Sequence, residues 1–229
     1  MCIVTAEERA RRFTDKLVKK LGDAVQCVVL AGSHARGDAT PKSDIDLWVF
    51  LSQVTSEALR VVGTVVTTMG GGHEINPQCL TFAEASGPGF RKGFSTVQMH
   101  LDGIVLYGQL LLPKPTREDI RQDAAELAVF SLMSARHYIT VNEPEEALAR
   151  KLDRFLLKPL VWAIRSNVLL HTGKYHKSIE ALLAATPDPD AKSLVSIYQQ
   201  CRSSQYSGPC MPVIHTAASV CSRIIADRA

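Results

Sequence analysis

The stretch from Val28 to Phe50, VVLAGSHARGDATPKSDIDLWVF, limits most tightly what this chain can become. An apolar run, Val28-Val29-Leu30-Ala31, breaks at Gly32-Ser33, and a polar loop containing Gly37 and Pro41 follows. The chain then re-enters an apolar run that opens with two acids, Asp44 and Asp46. Side chains alternate along a strand, so Asp44 and Asp46 project together while Ile45 faces the other side. Two adjacent carboxylates repel and are costly to desolvate, and the usual reason for keeping both is a cation between them. Carboxylate oxygens suit Mg2+, which retains several waters and takes further ligands from a substrate phosphate. Gly32-Ser33 supplies the complementary half. Glycine lets the backbone come close to a ligand, and a helix opening at Ser33 aims N–H groups at an anion.

Composition sets the frame. The 229 residues are 46% hydrophobic and 21% charged, which suits a soluble globular protein with one large or two small domains. A net charge of +3 fits a phosphate-bearing ligand but is too small to mark a dedicated nucleic-acid binder. No apolar run reaches the roughly 18 residues of a membrane span, and MCIVTAEERARR lacks the apolar core of a signal peptide, so a cytoplasmic location is the default expectation. The six cysteines form no C-x-x-C pair, which argues against a zinc site. Cys201 and Cys210 flank a Ser/Gly/Pro turn, and the sequence leaves open whether they pair.

Along the chain, Thr5–Leu21 reads as an amphipathic helix with capping-box spacing from Thr5 to Glu8, and its basic residues read as a solvated face. Strands are expected over 24–31 and 44–51, a helix over 55–69, and a strand over 73–82 that Pro77 confines to an edge. A glycine-rich loop over 83–93, a short helix over 94–101 and a closing strand over 103–107 complete the first region. Pro113 and Pro115 mark a boundary. Beyond it the pattern turns wholly helical, with helices over 116–140, 144–171, 174–185, 190–201 and 211–226. The expected class is therefore α+β: a mixed sheet with helices in residues 1–112, then a helical bundle in 113–229.

The segment Gly32-Ser33-His34-Ala35-Arg36-Gly37-Asp38, followed by Ser43-Asp44-Ile45-Asp46-Leu47, resembles the signature of the DNA polymerase β-type nucleotidyltransferase superfamily. The likeness is nearest to its small branch of minimal and aminoglycoside nucleotidyltransferases. It implies transfer of a nucleoside monophosphate, AMP from ATP, to an acceptor hydroxyl on a small molecule or a protein. It implies Mg2+ on Asp44 and Asp46, in a two-metal arrangement, and Gly32, Ser33 and Arg36 at the nucleotide. The family places a third carboxylate on a strand beside the pair. Glu74 is the acid at hand there, as a base toward the acceptor hydroxyl. Homodimers are common in the branch. A second reading is an antitoxin-like protein that binds or AMPylates a HEPN-type partner, with catalysis impaired if Glu74 is misplaced. Nucleic-acid and membrane partners are not expected.

The helix over 144–171 carries Lys151, Arg154, Lys158 and Arg165 within about 60° of one another at 100° per residue, on an otherwise apolar surface. Such a stripe suits a cleft, with Lys151, Arg154 and Lys158 pairing to the β- and γ-phosphates. Pro159 is expected to kink this helix. Arg165 and His171 also resemble the R-x4–6-H motif of HEPN ribonucleases.

Overall fold

A computed structural model describes residues 5–41, 43–70, 74–87, 96–141 and 143–227. The chain divides into two compact units, Met1–Lys114 and Pro115–Ala229.

The first unit is α+β. Its elements run α1 (Ala6–Leu21), β1 (Val25–Leu30), α2 (Gly32–Arg36), β2 (Ile45–Leu51), α3 (Ser56–Thr68), β3 (Ile75–Leu80), α4 (Phe82–Ser86), α5 (Thr96–Asp102) and β4 (Ile104–Gly108). The sheet order is β3-β2-β1-β4. β1 pairs antiparallel with both β2 and β4, whereas β2 and β3 run parallel. Pro77 does lie in an edge strand, where a missing donor is tolerated.

Alternation along β2 sorts its side chains between two cores. Ile45, Leu47, Val49 and Leu51 pack with Phe13 and Leu17 of α1 and Val62 and Val65 of α3. Phe50 faces the other way, onto Leu80, Met99 and the Phe82 ring, which stacks on it at 4.3 Å. The capping box is made as its spacing predicts: the Glu8 N–H donates to Thr5 Oγ1 at 3.2 Å, and the Thr5 N–H donates to Glu8 Oε2 at 2.8 Å. The basic face of α1 is more than a solvated one. Arg9 donates to the Gly70 carbonyl at 3.1 Å and Lys16 to that of Thr68 at 3.4 Å, so both cations satisfy carbonyls at the end of α3.

The second unit is helical: α6 (Arg117–Val141), α7 (Glu145–Lys151), a π-helical turn over Leu152–Leu157, α8 (Lys158–Thr172), α9 (Ile179–Ala185), α10 (Pro189–Arg202) and α11 (Cys210–Ala226). Its core gathers Leu132, Leu148, Leu152, Leu156, Leu160, Ile164, Leu194 and Ile214. The single kinked helix expected over 144–171 is instead three stretches. Pro159 has no N–H, so the carbonyl four residues back cannot be bonded in the α pattern. The wider turn absorbs this, with the Lys158 N–H donating to the Asp153 carbonyl five residues back. The glycine-rich 83–93 segment is partly helical as α4, and its Arg91 and Lys92 lie outside the described residues. Cys201 and Cys210 are free thiols; burial pushes them up to about 11 and about 12, the latter reinforced by a hydrogen bond with Glu145. Among the described residues, no helix is long and apolar enough to cross a membrane.

Asp188 ties two helices of this unit together. Its carboxylate accepts from the N–H groups of Asp190 at 2.9 Å and Ala191 at 3.1 Å, capping α10, and pairs with Arg223 of α11 at 2.9 Å. Burial pushes the carboxyl up, but the Ala191 N–H and the Arg223 guanidinium outweigh it and hold it below its ordinary value. A depressed acid contributes stability above its unfolded-state pKa of about 3.9 and loses it as pH falls through the lower folded value. Asp188→Ala should therefore cost about 1 kcal/mol at pH 7. The gap from wild type in chemical denaturation should shrink as the pH is taken to about 3 and below.

Candidate active site

β1 ends at Leu30, and the Ala31 N–H donates to the Asp46 carbonyl at 2.9 Å, holding the turn against the start of β2. Gly32 follows with φ +68°, a backbone conformation that favours glycine. A Cβ built there would lie 2.2 Å from Asp46 Oδ2. The carboxylate thus occupies the space that any other residue's side chain would need. α2 opens at Gly32 and ends at Arg36, with Gly37 in the left-handed region at φ +80°. The loop back to β2 closes through Thr40 and Ser43: the Ser43 N–H donates to the Thr40 carbonyl at 2.9 Å, and the Thr40 N–H to Ser43 Oγ at 2.9 Å. His34 Nε2 lies 3.3 Å from the Ser43 carbonyl. These contacts deliver the chain to Asp44, which is exposed one residue ahead of β2.

Asp46 lies on the face of the sheet opposite Ile45 and Leu47, as alternation predicts, and that same alternation carries Asp44 to its side. The parallel pairing sets Asp46 beside Asn76. Asn76 Nδ2 donates to Asp46 Oδ1 at 3.2 Å, and Gln78 Nε2 donates to Asn76 Oδ1 at 3.1 Å. Glu74 is exposed just ahead of β3, and its carbonyl accepts from the Ile45 N–H at 2.7 Å. Continuing the register places Glu74 next to Asp44 on the carboxylate face. Among the described residues, no three His, Cys, Asp or Glu side chains converge closely enough to hold a metal ion. Glu74 stands beside the aspartate pair in register. Two carboxylates still fit Mg2+, which fills its shell with water and phosphate oxygens.

Arg36, expected at the nucleotide, is only 7% exposed. Its guanidinium pairs with Asp38 at 3.3 Å and Asp102 at 3.6 Å, both buried, so it pins the loop to α5 from beneath. The reason is the short α2: one and a half turns carry the Arg36 side chain from the glycine turn back into the protein. The basic stripe of the second unit loses Arg165 to burial, and the π turn changes the angular step between Lys151 and Lys158. Lys151 is clasped by Glu143 at 2.7 and 2.8 Å. Arg154 is exposed and lies 5.7 Å from the Phe155 ring, and Lys158 is exposed. Arg165 is 2% exposed and packs 5.1 Å from the Trp162 ring, so neither the stripe nor an R-x5-H surface includes it. His171 pairs with Asp227 at 3.2 Å.

The residues that sequence reasoning missed are Asn76 and Gln78. Stepping by two from Glu74 reaches both, so the same alternation that groups Asp44 with Asp46 could have found them.

Gly32→Ala should be far worse than Gly37→Ala. Both glycines have positive φ, which costs an alanine about 1–2 kcal/mol. At Gly37, however, nothing lies within 4 Å of an added Cβ, whereas at Gly32 the methyl would strike Asp46. The Gly32 variant should lose nucleotide binding in calorimetry and the Gly37 variant should keep it. Equal behaviour would remove the Gly32–Asp46 contact from the site.

The family profile described as the nucleotidyltransferase domain matches residues 10–108, a span that contains the glycine turn, the aspartate pair and all four strands. Comparison with curated proteins gives no match. Among solved structures, spectinomycin adenyltransferase AAD(9) from Enterococcus faecialis, determined with ATP and spectinomycin, shares the fold at a TM-score of 0.61 and 14% identity. The alignment covers 96% of this chain and 99% of that one. A toxin–antitoxin structure with AMP-PNP aligns at a TM-score of 0.32 and 14% identity, over 58% of this chain and 95% of that one. A glycine turn set against Asp46 thus lies inside the span, residues 10–108, that carries the nucleotidyltransferase domain, and the chain is an enzyme of that class.

Proposed function

We propose that this enzyme transfers AMP from ATP to a hydroxyl of a small-molecule acceptor in a Mg2+-dependent reaction. The observation that carries the proposal is the Asp46 carboxylate set against Gly32, with Asp44 two residues before it on the same face. Likeness in fold to an adenyltransferase solved with ATP and spectinomycin supports ATP as donor and a hydroxylated small molecule as acceptor.

Asp44 and Asp46 would hold Mg2+, which when bound offsets triphosphate charge and acidifies the attacking hydroxyl. The backbone at Gly32 and Ser33 would lie along the phosphates, close approach being possible because residue 32 has no side chain. Glu74, exposed on the carboxylate face, would take the acceptor proton. The acceptor oxygen then bonds to the α-phosphorus, the bond from that phosphorus to the oxygen bridging to the β-phosphate breaks, and pyrophosphate leaves with the electron pair. Of the second unit's basic residues, Arg154 and Lys158 are exposed and Lys151 is held by Glu143. Arg36 would act only through the loop that it holds.

One observation favours a partner protein as the acceptor. Val129, Phe130 and Met133 on α6 are 46%, 53% and 61% exposed, a grouping of apolar side chains of the kind that marks association surfaces. The antitoxin-like reading draws on the same patch.

Titration calorimetry with ATP, CTP, GTP and UTP, with and without Mg2+, tests the proposal. Mg2+-dependent binding of ATP should vanish in Asp44→Asn/Asp46→Asn. Asp46→Asn alone should keep a melting temperature at or above wild type, because it relieves carboxylate repulsion. Glu74→Gln should retain ATP binding while pyrophosphate release, assayed with spectinomycin and a panel of aminoglycosides, falls by about 10²-fold or more wherever wild type is active. No binding of any triphosphate by wild type would refute the enzymatic reading of this site.

A further inference from the structure

We infer that Asn76, supported by Gln78, is a positioning residue that presents Asp46 to its metal ion; the inference rests on the reading of Asp44 and Asp46 as the Mg2+ site. Asp46 is gripped on both oxygens in different ways. Oδ1 accepts from Asn76 Nδ2 at 3.2 Å, and Oδ2 lies in the gap left by the missing Gly32 side chain. Asn76 is itself steadied, since Gln78 Nε2 donates to its Oδ1 at 3.1 Å. That outer bond also fixes the amide: with Oδ1 engaged as an acceptor, the Nδ2 donor is the atom left to turn toward Asp46.

The arrangement has a backbone cause. β2 and β3 pair in parallel, with Asp46 opposite Asn76 and Trp48 opposite Gln78, so the two amides and the carboxylate share one face. An uncharged amide suits the position better than an acid would. It donates to a ligating carboxylate without adding a third negative charge beside a pair that already repels. A lysine or arginine there would instead neutralise the charge that attracts the cation. Partners that orient a ligand in this way usually change metal affinity by about 10–100-fold when removed. β3 is an edge strand and Gln78 is exposed, so the amides can be changed with little disturbance to either core.

The test is Mn2+ binding, followed by electron paramagnetic resonance, with the full chain and a non-hydrolysable ATP analogue. Asn76→Leu matches the side chain's size but cannot donate. It should weaken Mn2+ binding about tenfold or more while leaving the melting temperature near that of wild type. Gln78→Leu, which removes only the outer bond, should weaken it less, by about threefold. A merely structural role would lower the melting temperature and analogue binding together and would not single out the metal. Asp44→Asn/Asp46→Asn serves as the reference. If the double variant abolishes Mn2+ binding while Asn76→Leu and Gln78→Leu bind Mn2+ like wild type, the positioning role is wrong and the metal site stands. If the double variant binds Mn2+ as tightly as wild type, the metal assignment fails and this inference with it.

Discussion

Asp46 Oδ2 fills the space where residue 32 would otherwise carry a side chain, and much of the first unit serves that one approach. It requires glycine at the end of β1, a positive φ to turn the chain there, and a β2 register that brings position 46 directly beneath. The register follows from the two cores, because a slip of one residue in β2 would turn Ile45, Leu47 and Val49 out of the core and Asp46 into it. The hydrophobic burial that stabilises the sheet is therefore also what aims the carboxylate. The Arg36–Asp38–Asp102 group extends the same logic under the loop, where buried charges are tolerated because they face each other.

The two units spend their charged residues differently. In the first, three cations are turned inward or onto backbone: Arg36 onto Asp38 and Asp102, Arg9 onto the Gly70 carbonyl and Lys16 onto that of Thr68. In the second, the break at Pro159 redistributes a basic row, so that Arg165 is buried on Trp162 while Arg154 and Lys158 face solvent. The proline that breaks the α pattern thus helps to set which of these cations reach solvent.

Much of this was legible in advance wherever the signal is local. The strands, the edge position of β3 and the capping box at Thr5 follow from spacing alone, because alternation, caps and proline geometry act within a few residues. Arg36 escaped because its motif neighbours speak for the nucleotide while its burial depends on Asp102, far along the chain. Asn76 and Gln78 escaped because alternation from Glu74 groups them on one face but does not say that Asp46 will pair beside them. The π turn escaped because proline predicts that the α pattern must change but not how the backbone accommodates it.

The chemistry at the turn is written in local spacing: a glycine that permits close approach, followed by two carboxylates two residues apart. Which groups meet those carboxylates depends on how distant segments pair and pack. Pairing β2 with β3 in parallel requires the chain to leave through α3 and return, and nothing within β2 specifies the residue that will then stand beside Asp46. That partner is set by the packing of α1 and α3 against one face of the sheet, because this burial fixes the register and the register places Asn76 on Asp46.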